Sequence, residues 1–449
     1  MKYKSLLFLC TFFLAASSMK GQELSLNEAH RLLLTANGRL QAAAIEVEEK
    51  EEELKAAKGL HLPSIEVSGN YMYLSEDIEL DLNPARDMLG GILQIPDPQA
   101  VMGDWNMPLQ ERNFGMASAG LKWPLFTGGK IKAAGEAAQA RVALAQNKSD
   151  QEIEDLSIQL IDYYFKYKLA TEAEDLYARV ENTVGLHKKK AEKLFENGQL
   201  AEVETLHAEV AFSSAHRDLL AAKKDVSLAY SAMKSLLGGA SFDSLTTNFK
   251  TPVLLPPLNV LQEEMLQESA KLVQLDKSRE LAGAGVKVEQ SEYYPKLALI
   301  ASHNLWKGNM PLLSVDWYSG VGLSWNIFDG FQREHKIEAA RHRIDRIDEI
   351  EKQARMDLLT YTHLLYNNLE KQKEQYESLE ADEELAQRLK FMRKRAFEEG
   401  MGTSLEVVDA TLKLAEIQLK KLKALYEYNK AYGELMIRLG EEVKFLSQN

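Results

Sequence analysis

The sequence predicts a mainly α-helical protein with a β-barrel part, built from long antiparallel helices and a few transmembrane strands. Two stretches of roughly 68 residues contain no proline, one ending at Gly198 and the other at Gly400, and a helix of that length extends about 100 Å. No compact globular domain holds such a helix. Four shorter segments place apolar residues at every second position, which is the period of a β-strand with two different faces.

The chain also repeats itself, which is the third observation behind the predicted fold. An offset of 202 residues aligns Trp123, Phe126, Gly128, Phe195, Glu196 and Gly198 with Trp325, Phe328, Gly330, Phe397, Glu398 and Gly400. Upstream the offset becomes 232, as between Pro63 and Pro295, so the first copy carries an insertion. The predicted organisation is a first repeat at 23–238, a linker at 239–257, a second repeat at 258–440 and a C-terminal tail at 441–449.

Composition and charge exclude several classes of protein. The 449 residues carry 54 basic and 67 acidic side chains, a net charge of −13, which argues against a nucleic-acid-binding protein. The one cysteine, Cys10, excludes a disulfide framework and a CxxC redox pair. Lys2 and Lys4 precede the apolar run Ser5–Ala16, so residues 1–22 are interpreted as a secretory signal peptide. After residue 22 no stretch of ~18 uncharged apolar residues occurs, so an exported protein without a membrane-spanning helix is expected.

Within each repeat the predicted order is helix, strand pair, very long helix and second helix. The first repeat begins with a predicted helix at Leu26–Ala57, which is rich in Ala, Glu, Leu and Lys. The predicted strands are Ser64–Leu74, Phe114–Leu125, Leu297–Leu305 and Trp317–Phe328. Residues 76–112, between the first two strands, contain four prolines and several acids and are predicted to form a long outer loop.

The number of predicted strands has a consequence for assembly. Strands of about 9 to 11 residues cross a bilayer, but a membrane barrel needs at least ~8 of them, because an open edge in lipid leaves backbone groups unpaired. A ring of three chains supplies 12 strands and closes the barrel with one symmetry. Aromatic residues lie in or beside the strands, as in the interfacial girdles of membrane proteins. They are Tyr71, Tyr73, Trp123, Trp317, Tyr318 and Trp325.

Two plainer interpretations compete with the barrel. A heptad-like stripe along the first long helix is also compatible with an antiparallel coiled coil that has no channel. The stripe comprises Ile153, Leu156, Leu160, Tyr163, Tyr167, Ala170 and Tyr177. A small soluble sheet would explain the aromatic residues equally well, but no further globular segment remains to cover it.

Glycines and basic residues mark the ends of the long helices. Gly128, Gly129 and Gly330 are predicted to form strand-to-helix turns, and Gly198 and Gly400 are predicted to form turns at the helix tips, where φ > 0 is common. Basic clusters precede both tips. They comprise His187 to Lys190 with Lys193, and Lys390 with Arg393, Lys394 and Arg395. These cations either meet an acidic partner or simply favour the C-terminal end of a helix.

Several motifs resemble those of the outer-membrane factor family of TolC-like efflux and type I secretion ducts. They are Leu62-Pro63-Ser64, the segment from Trp123 to Gly129, its echo from Trp325 to Gly330, and the segment from Gly400 to Ala410. The resemblance covers almost the whole chain beyond the signal peptide. It implies a homotrimer with a twelve-stranded barrel in the outer-membrane lipid, a helical barrel in the periplasm, and the linker 239–257 in the equatorial region. It also implies a periplasmic adaptor protein and an inner-membrane transporter as partners.

The resemblance further implies a constriction ringed by acids at the periplasmic helix tips. The matching positions are Glu406 and Asp409, with Glu204 at the related position of the first repeat and His207 departing from the pattern. Thr403 and Glu406 also have the spacing of a capping box, so Glu406 has a competing structural interpretation. The tip turns that the resemblance associates with adaptor contact contain Gly198, Gly400, Gly402 and Thr403.

The expected function is therefore passive export through an outer-membrane channel of a tripartite efflux pump or a type I secretion system. The expected location is the outer membrane of a Gram-negative bacterium, with an extension into the periplasm. An exported coiled-coil scaffold or a periplasmic adaptor protein is the alternative. No HExxH, Walker A or GxGxxG motif occurs and the nine histidines lack ligand spacing, so neither an enzyme nor a metal or cofactor site is expected.

Overall fold

The computed structural model describes residues 23–309 and 315–447. The predicted signal peptide lies outside the described residues, and so does the end of the predicted tail. The chain divides into two compact units. The helix unit comprises the residues up to Ile45, Gln146–Val273 and the residues from Glu351 onward, and the strand unit comprises Glu46–Ala145 and Gln274–Ile350.

The helices and strands of the described chain follow in sequence order. The helices are α1 (Leu26–Ala36), α2 (Gly38–Gly59), α3 (Asn83–Ile92), α4 (Pro98–Met102), α5 (Lys130–Glu196), α6 (Glu202–Leu236), α7 (Leu258–Glu268), α8 (Ala270–Gln290), α9 (Gln332–Glu398), α10 (Ser404–Arg438) and α11 (Glu442–Ser447). The strands are β1 (Glu23–Leu24), β2 (Ser64–Tyr73), β3 (Ile78–Asp81), β4 (Asn106–Gln110), β5 (Asn113–Phe126), β6 (Ser244–Leu245), β7 (Lys296–Gly308) and β8 (Trp317–Ser324). A 3-10 turn spans Ser291–Tyr293.

The predicted long helices are present as unbroken elements. Helices α5 and α9 contain 67 residues each, and α6 and α10, which follow them, contain 35 residues each. None of the helices in the described ranges combines the length and the apolar character that crossing a bilayer requires.

The predicted first helix, Leu26–Ala57, is wrong in one respect, because the structure breaks it at Asn37. The side-chain amide of Asn37 donates to the carbonyl oxygen of Leu236 at 2.9 Å, and its Oδ1 accepts the backbone N–H of Arg39 at 2.9 Å. Asparagine competes with the helix for main-chain hydrogen bonds in this way. The chain therefore ends α1 at Ala36 and begins α2 at Gly38.

The core of the helix unit contains much of the predicted heptad stripe. Leu156 and Leu160 are each 1% exposed and pack among the fully buried Leu33, Phe165 and Met233. The predicted linker also contributes to this unit, since β6 pairs in parallel with β1. The hydroxyl group of Tyr164 donates to the carbonyl oxygen of Leu24 at 2.8 Å and accepts the N–H of Thr247 at 3.0 Å.

The predicted C-terminal tail is packed as far as the structure describes it. Residues from Glu442 form α11, and Phe445 is fully buried. The ammonium group of Lys250 lies 4.2 Å from the centroid of the Phe445 ring and donates to the Phe445 carbonyl oxygen at 2.8 Å. Burial lowers the pKa of Lys250 below its ordinary value.

The strand unit contains one four-stranded antiparallel sheet with the strand order β2-β5-β7-β8. All four predicted strands are present, but the fourth is shorter than predicted, since β8 ends at Ser324 and not at Phe328. Ser324 pairs with Lys296, the first residue of β7, which follows Pro295. The next carbonyl oxygens, of Asn326 and Ile327, accept hydrogen bonds from Arg333 and are not part of a strand ladder.

The predicted outer loop at 76–112 is largely ordered structure. β3 and β4 form an antiparallel pair, and α3 and α4 lie between them in sequence. Two of the prolines that suggested a loop begin these helices, since Pro84 and Pro98 occupy the first turns of α3 and α4. Proline is tolerated there because the first N–H groups of a helix have no intrahelical partner.

Candidate functional site

The four-stranded sheet has one apolar and one polar face. One cross-strand row joins Ile65, Leu121 and Ala301, and another joins Trp123, Leu299 and Val321. The opposite face carries the rows of Glu66, Gly120 and Ser302 and of Ser68, Ser118 and Asn304. Residues opposite each other in a ladder project to the same face, so the contrast extends across β2, β5 and β7, and Trp317, Val321 and Leu323 of β8 continue the apolar face.

Both faces of the sheet are largely uncovered by the rest of the described chain. Every residue of β2 is exposed, and Ile65 and Val67 on the apolar face are 74% and 67% exposed. β2 and β8 are the edge strands, so each has one side without a strand partner in the described chain. Lipid can cover the apolar face. The unpaired backbone groups of the two edge strands, however, are stable in lipid only if further strands pair with them.

The strand-to-helix turns contain the predicted glycines in left-handed conformations. Gly128, Gly129 and Gly330 have φ values of +63°, +90° and +70°. A Cβ atom at Gly128 would lie 2.6 Å from the carbonyl oxygen of Ser291 and 2.7 Å from the Cβ of Tyr294, so no side chain fits. Phe331, which follows Gly330, also has a positive φ, of +65°. No feature of the sequence predicts this conformation, because a positive φ is uncommon for a bulky side chain.

A buried arginine stabilises the second strand-to-helix turn. Arg333 is 6% exposed, and it donates to the carbonyl oxygens of Glu292, Asn326 and Ile327 at 2.9 to 3.1 Å. Its guanidinium carbon lies 4.7 Å from the centroid of the Tyr293 ring. The sequence does not indicate this role of Arg333 either. At the 202-residue offset its counterpart in the first repeat is Ile131, so comparing the repeats does not reveal it.

A carboxylate lies beside the same turn. Glu292 accepts hydrogen bonds from Lys130 at 2.8 Å and Lys296 at 2.5 Å. These two ammonium groups lower the pKa of Glu292 to about 2. The side chain therefore stays ionised at neutral pH and joins the start of α5 to the start of β7.

The two helix-tip turns have the same hydrogen-bond pattern. Gly198 and Gly400 have φ values of +68° and +75°. The N–H of Gly198 donates to Phe195 and that of the next residue to Leu194, both at 2.8 Å, while Gly400 and the residue after it donate to Phe397 and Ala396. This is the Schellman arrangement, which satisfies the last carbonyl groups of a helix. It explains why each long helix ends at its glycine.

Glu406 occupies a capping box and an ion pair at the same time. Its Oε2 accepts the N–H of Thr403 at 3.2 Å, and its own N–H donates to the Thr403 hydroxyl oxygen at 3.3 Å. Its Oε1 accepts a hydrogen bond from Arg393 at 2.8 Å. A Cβ atom at Gly402 would lie 3.3 Å from Glu406 Oε2, so the turn is closely packed around this carboxylate.

The other two predicted gate residues differ from each other. Asp409 is exposed on α10, and no hydrogen bond or ion pair joins it to the rest of the described chain. It lines a surface groove together with Arg393 and Lys413. Glu204, in contrast, accepts the backbone N–H of Ser404 at 2.9 Å. Glu204 therefore caps the start of α10, an element 200 residues away in sequence.

A second contact at Ser404 joins the two helix tips. The Nε2 of His187 shares a hydrogen bond of 2.7 Å with the hydroxyl group of Ser404, and the His187 ring lies 4.8 Å from that of Phe397. Burial lowers the pKa of His187 below its ordinary value, and the charge of Lys190 lowers it further. The imidazole is therefore neutral at neutral pH. Sequence reasoning missed this role, since it placed His187 in a basic cluster.

Some of the basic residues near the helix tips form ion pairs within the chain. Lys190 forms an ion pair with Glu398 at 3.2 Å, and Lys188 forms one with Glu209 at the same distance. Across residues 23–309 and 315–447, no three His, Cys, Asp or Glu side chains are grouped closely enough to bind a metal ion. The tip is thus a network of caps and ion pairs in which Asp409 has no partner.

A sheet with one apolar and one polar face is typical of the strands of an outer-membrane β-barrel, and here it is combined with helices of 67 residues. The chain belongs to the outer membrane efflux protein family, whose model matches residues 30–239 and 261–441. Membership assigns the chain to the outer membrane of a Gram-negative cell.

Individual relatives agree with this assignment. The chain is 25% identical over 296 residues to protein CyaE of Bordetella pertussis, covering 61% of each protein. It is 20% identical over 311 residues to the alkaline protease secretion protein AprF of Pseudomonas aeruginosa, covering 67% of this chain and 64% of AprF. These matches span less than two thirds of the length of both curated relatives. The outer membrane channel CmeC of Campylobacter jejuni shares the fold, with a TM-score of 0.72, 15% identity, and coverage of 93% of this chain and 86% of CmeC.

Proposed function

We propose that three copies of this chain close a twelve-stranded barrel and form a passive export duct through the outer membrane. The observation that supports this most is the sheet, which has an apolar face, a polar face and two unpaired edges. Because β2 and β8 run antiparallel across the sheet, β8 of one copy can pair with β2 of the next in the antiparallel manner of membrane barrels. The apolar face then contacts lipid and the polar face lines the lumen.

The duct serves a tripartite efflux pump or a type I secretion system. A periplasmic adaptor connects it to an inner-membrane transporter, and the transporter supplies the energy for export. The family is named for efflux, and its relative AprF is named for the secretion of alkaline protease. The paired helix tips are the surface that we assign to the adaptor. Neither a scaffold nor an adaptor, the alternative functions, explains why a sheet leaves its apolar face uncovered.

We further propose that Asp409 and Glu406 form the periplasmic constriction. Three copies of each bring carboxylates close to one axis, and such rings favour cations. The two residues are not equivalent, however. Arg393 and the capping box engage Glu406, whereas Asp409 is unpaired within the described chain. Glu204 is engaged in capping Ser404, so we assign it to holding the tips together.

Asp409→Asn is expected to lower the cation selectivity of the channel in planar bilayers, with thermal stability unchanged. Glu406→Gln is expected to change selectivity less, because Arg393 already offsets the charge, and to keep the capping box, since a glutamine at this position also accepts the N–H of Thr403. Glu377→Gln, which removes an exposed charge on α9 far from the tip in sequence, serves as the control. Selectivity that is unchanged in Asp409→Asn removes this residue from the constriction.

A further inference from the structure

The ordered outer segment between β2 and β5 carries a helix whose apolar stripe faces away from the rest of the chain. We call residues 83–103 the outer tip, and β3 and β4 the stem. On α3, Arg86 and Gly90 are buried, whereas Met88 and Ile92 on the other side are 70% and 71% exposed. The exposed apolar set is Ala85, Met88, Leu89, Ile92, Leu93 and Val101. This is the reverse of an ordinary surface helix, which buries its apolar stripe.

The outer tip is built to hold that stripe in place. Arg86 donates to the carbonyl oxygen of Gly103 and to Asp87, both at 2.8 Å. The amide of Asn83 joins the two sides of the stem, since it donates to Asn106 and accepts the N–H of Trp105, both at 2.9 Å. A Cβ atom at Gly90 would lie 2.3 Å from the Pro98 ring, so α3 and α4 are in close contact. The exposed apolar residues thus belong to an ordered surface, which usually marks an interaction site.

The charge of the outer tip allows it to pack against the outer tip of another copy. The outer tip contains one basic and two acidic residues, and Arg86 and Asp87 pair with each other. The stem and its flanks, 74–82 and 104–112, contain six acids and one basic residue. The acidic residues therefore lie in the stem and its flanks, and the nearly neutral outer tips of several copies can approach one another without strong repulsion between like charges.

The dimensions of the proposed barrel favour the same partner. Twelve tilted strands about 4.8 Å apart enclose a mouth with a backbone radius of about 12 Å, and α3, with ten residues, is about 15 Å long. The stem continues the β2–β5 pair, because the N–H of Leu74 donates to the carbonyl oxygen of Arg112 at 2.7 Å. Three outer tips on such stems therefore reach across one mouth.

We propose that the outer tips of three copies pack their apolar stripes together and form a cap over the outer mouth of the channel. This inference rests on the proposed trimer. The partner of the apolar stripe is then the same stripe of two other copies. The cap narrows the exit, and its opening is a step in export separate from the periplasmic constriction.

The test uses cysteine cross-linking, for which the chain is suited because its one cysteine, Cys10, lies in the predicted signal peptide. Ile92→Cys is treated in outer membranes with a trifunctional maleimide, and the products are separated after heating. The expected result is loss of the monomer band and appearance of a covalent trimer. The matched control, Glu79→Cys, places an exposed cysteine on β3 of the stem and is expected to remain monomeric.

Unheated samples on the same gel separate the two proposals. A heat-sensitive trimer without cross-linking at Ile92→Cys overturns the cap but leaves the trimer standing, whereas absence of any trimer overturns the proposed function itself. Equal cross-linking of Glu79→Cys also overturns the cap, since contact would then not depend on the apolar stripe. As a second readout, the double variant Met88→Asp and Ile92→Asp is expected to raise single-channel conductance because like charges separate the outer tips, and unchanged conductance contradicts the cap.

Discussion

Replacing Val67 with arginine is expected to abolish assembly of the channel in the outer membrane, whereas the same replacement at the adjacent Ser68 is expected to be tolerated. Val67 lies on the apolar face near the middle of β2, and Ser68 lies on the polar face of the same strand. An arginine at the bilayer midplane on the lipid face of a barrel costs about 2 to 4 kcal/mol. Each trimer carries that cost three times.

The measurement is the amount of heat-sensitive trimer in the outer-membrane fraction. Val67→Arg should give little or none, while Ser68→Arg should give a normal amount with altered conductance, because its charge lies in the lumen. The two variants differ by one residue and share the same charge and size, so general effects of arginine on export cancel. Equal assembly of both variants would show that the apolar face does not contact lipid.

Arg333→Met is expected to destabilise the folded chain by about 3 to 5 kcal/mol, which is typical of breaking a buried charged network. The variant leaves three carbonyl oxygens without their donor. It also leaves Asp329, which lies 3.5 Å from the guanidinium group, without its cation. The measurement is the temperature at which purified channels lose their oligomeric band. A large decrease is expected because the turn that begins α9 depends on this side chain.

Arg341→Met is the matched control for that prediction. Arg341 lies two turns further along α9, is exposed, and pairs with Glu338 at 3.3 Å. An exposed ion pair of this kind contributes at most about 1 kcal/mol. If the two variants lowered the dissociation temperature by the same small amount, Arg333 would have no special part in holding the turn.

Periodic patterns in the sequence predict most of the architecture. The long proline-free stretches predict α5 and α9, and alternation predicts four strands, because both signals are local and extend over many residues. The places where prediction failed depend on contacts between distant residues. Asn37 ends α1 through a bond to Leu236, and Arg333 takes two carbonyl groups that the predicted fourth strand would have used. No local pattern reveals such partners.

In the candidate sites, too, local patterns predict some residues, whereas others depend on contacts between distant parts of the chain. Gly198 and Gly400 predict the tip turns, because a helix end that requires φ > 0 favours glycine over other residues. The capping box of Thr403 and Glu406 is also readable from spacing. The contact of Glu204 with Ser404 is not, because it joins residues 200 positions apart. The outer helices were predicted as a loop since proline was interpreted as a breaker, although in the first turn it begins a helix.

The central claim is that each chain supplies one third of a barrel, closed where β8 of one copy meets β2 of the next. Val67→Cys on β2, combined in turn with cysteine at Trp317, Ser319, Val321 or Leu323 on the same face of β8, tests it directly. After oxidation in the outer membrane, one of the four pairs should form a covalent trimer that reduction returns to monomers. If none of the pairs links different chains, the sheet edges do not meet and the channel is not built in this way.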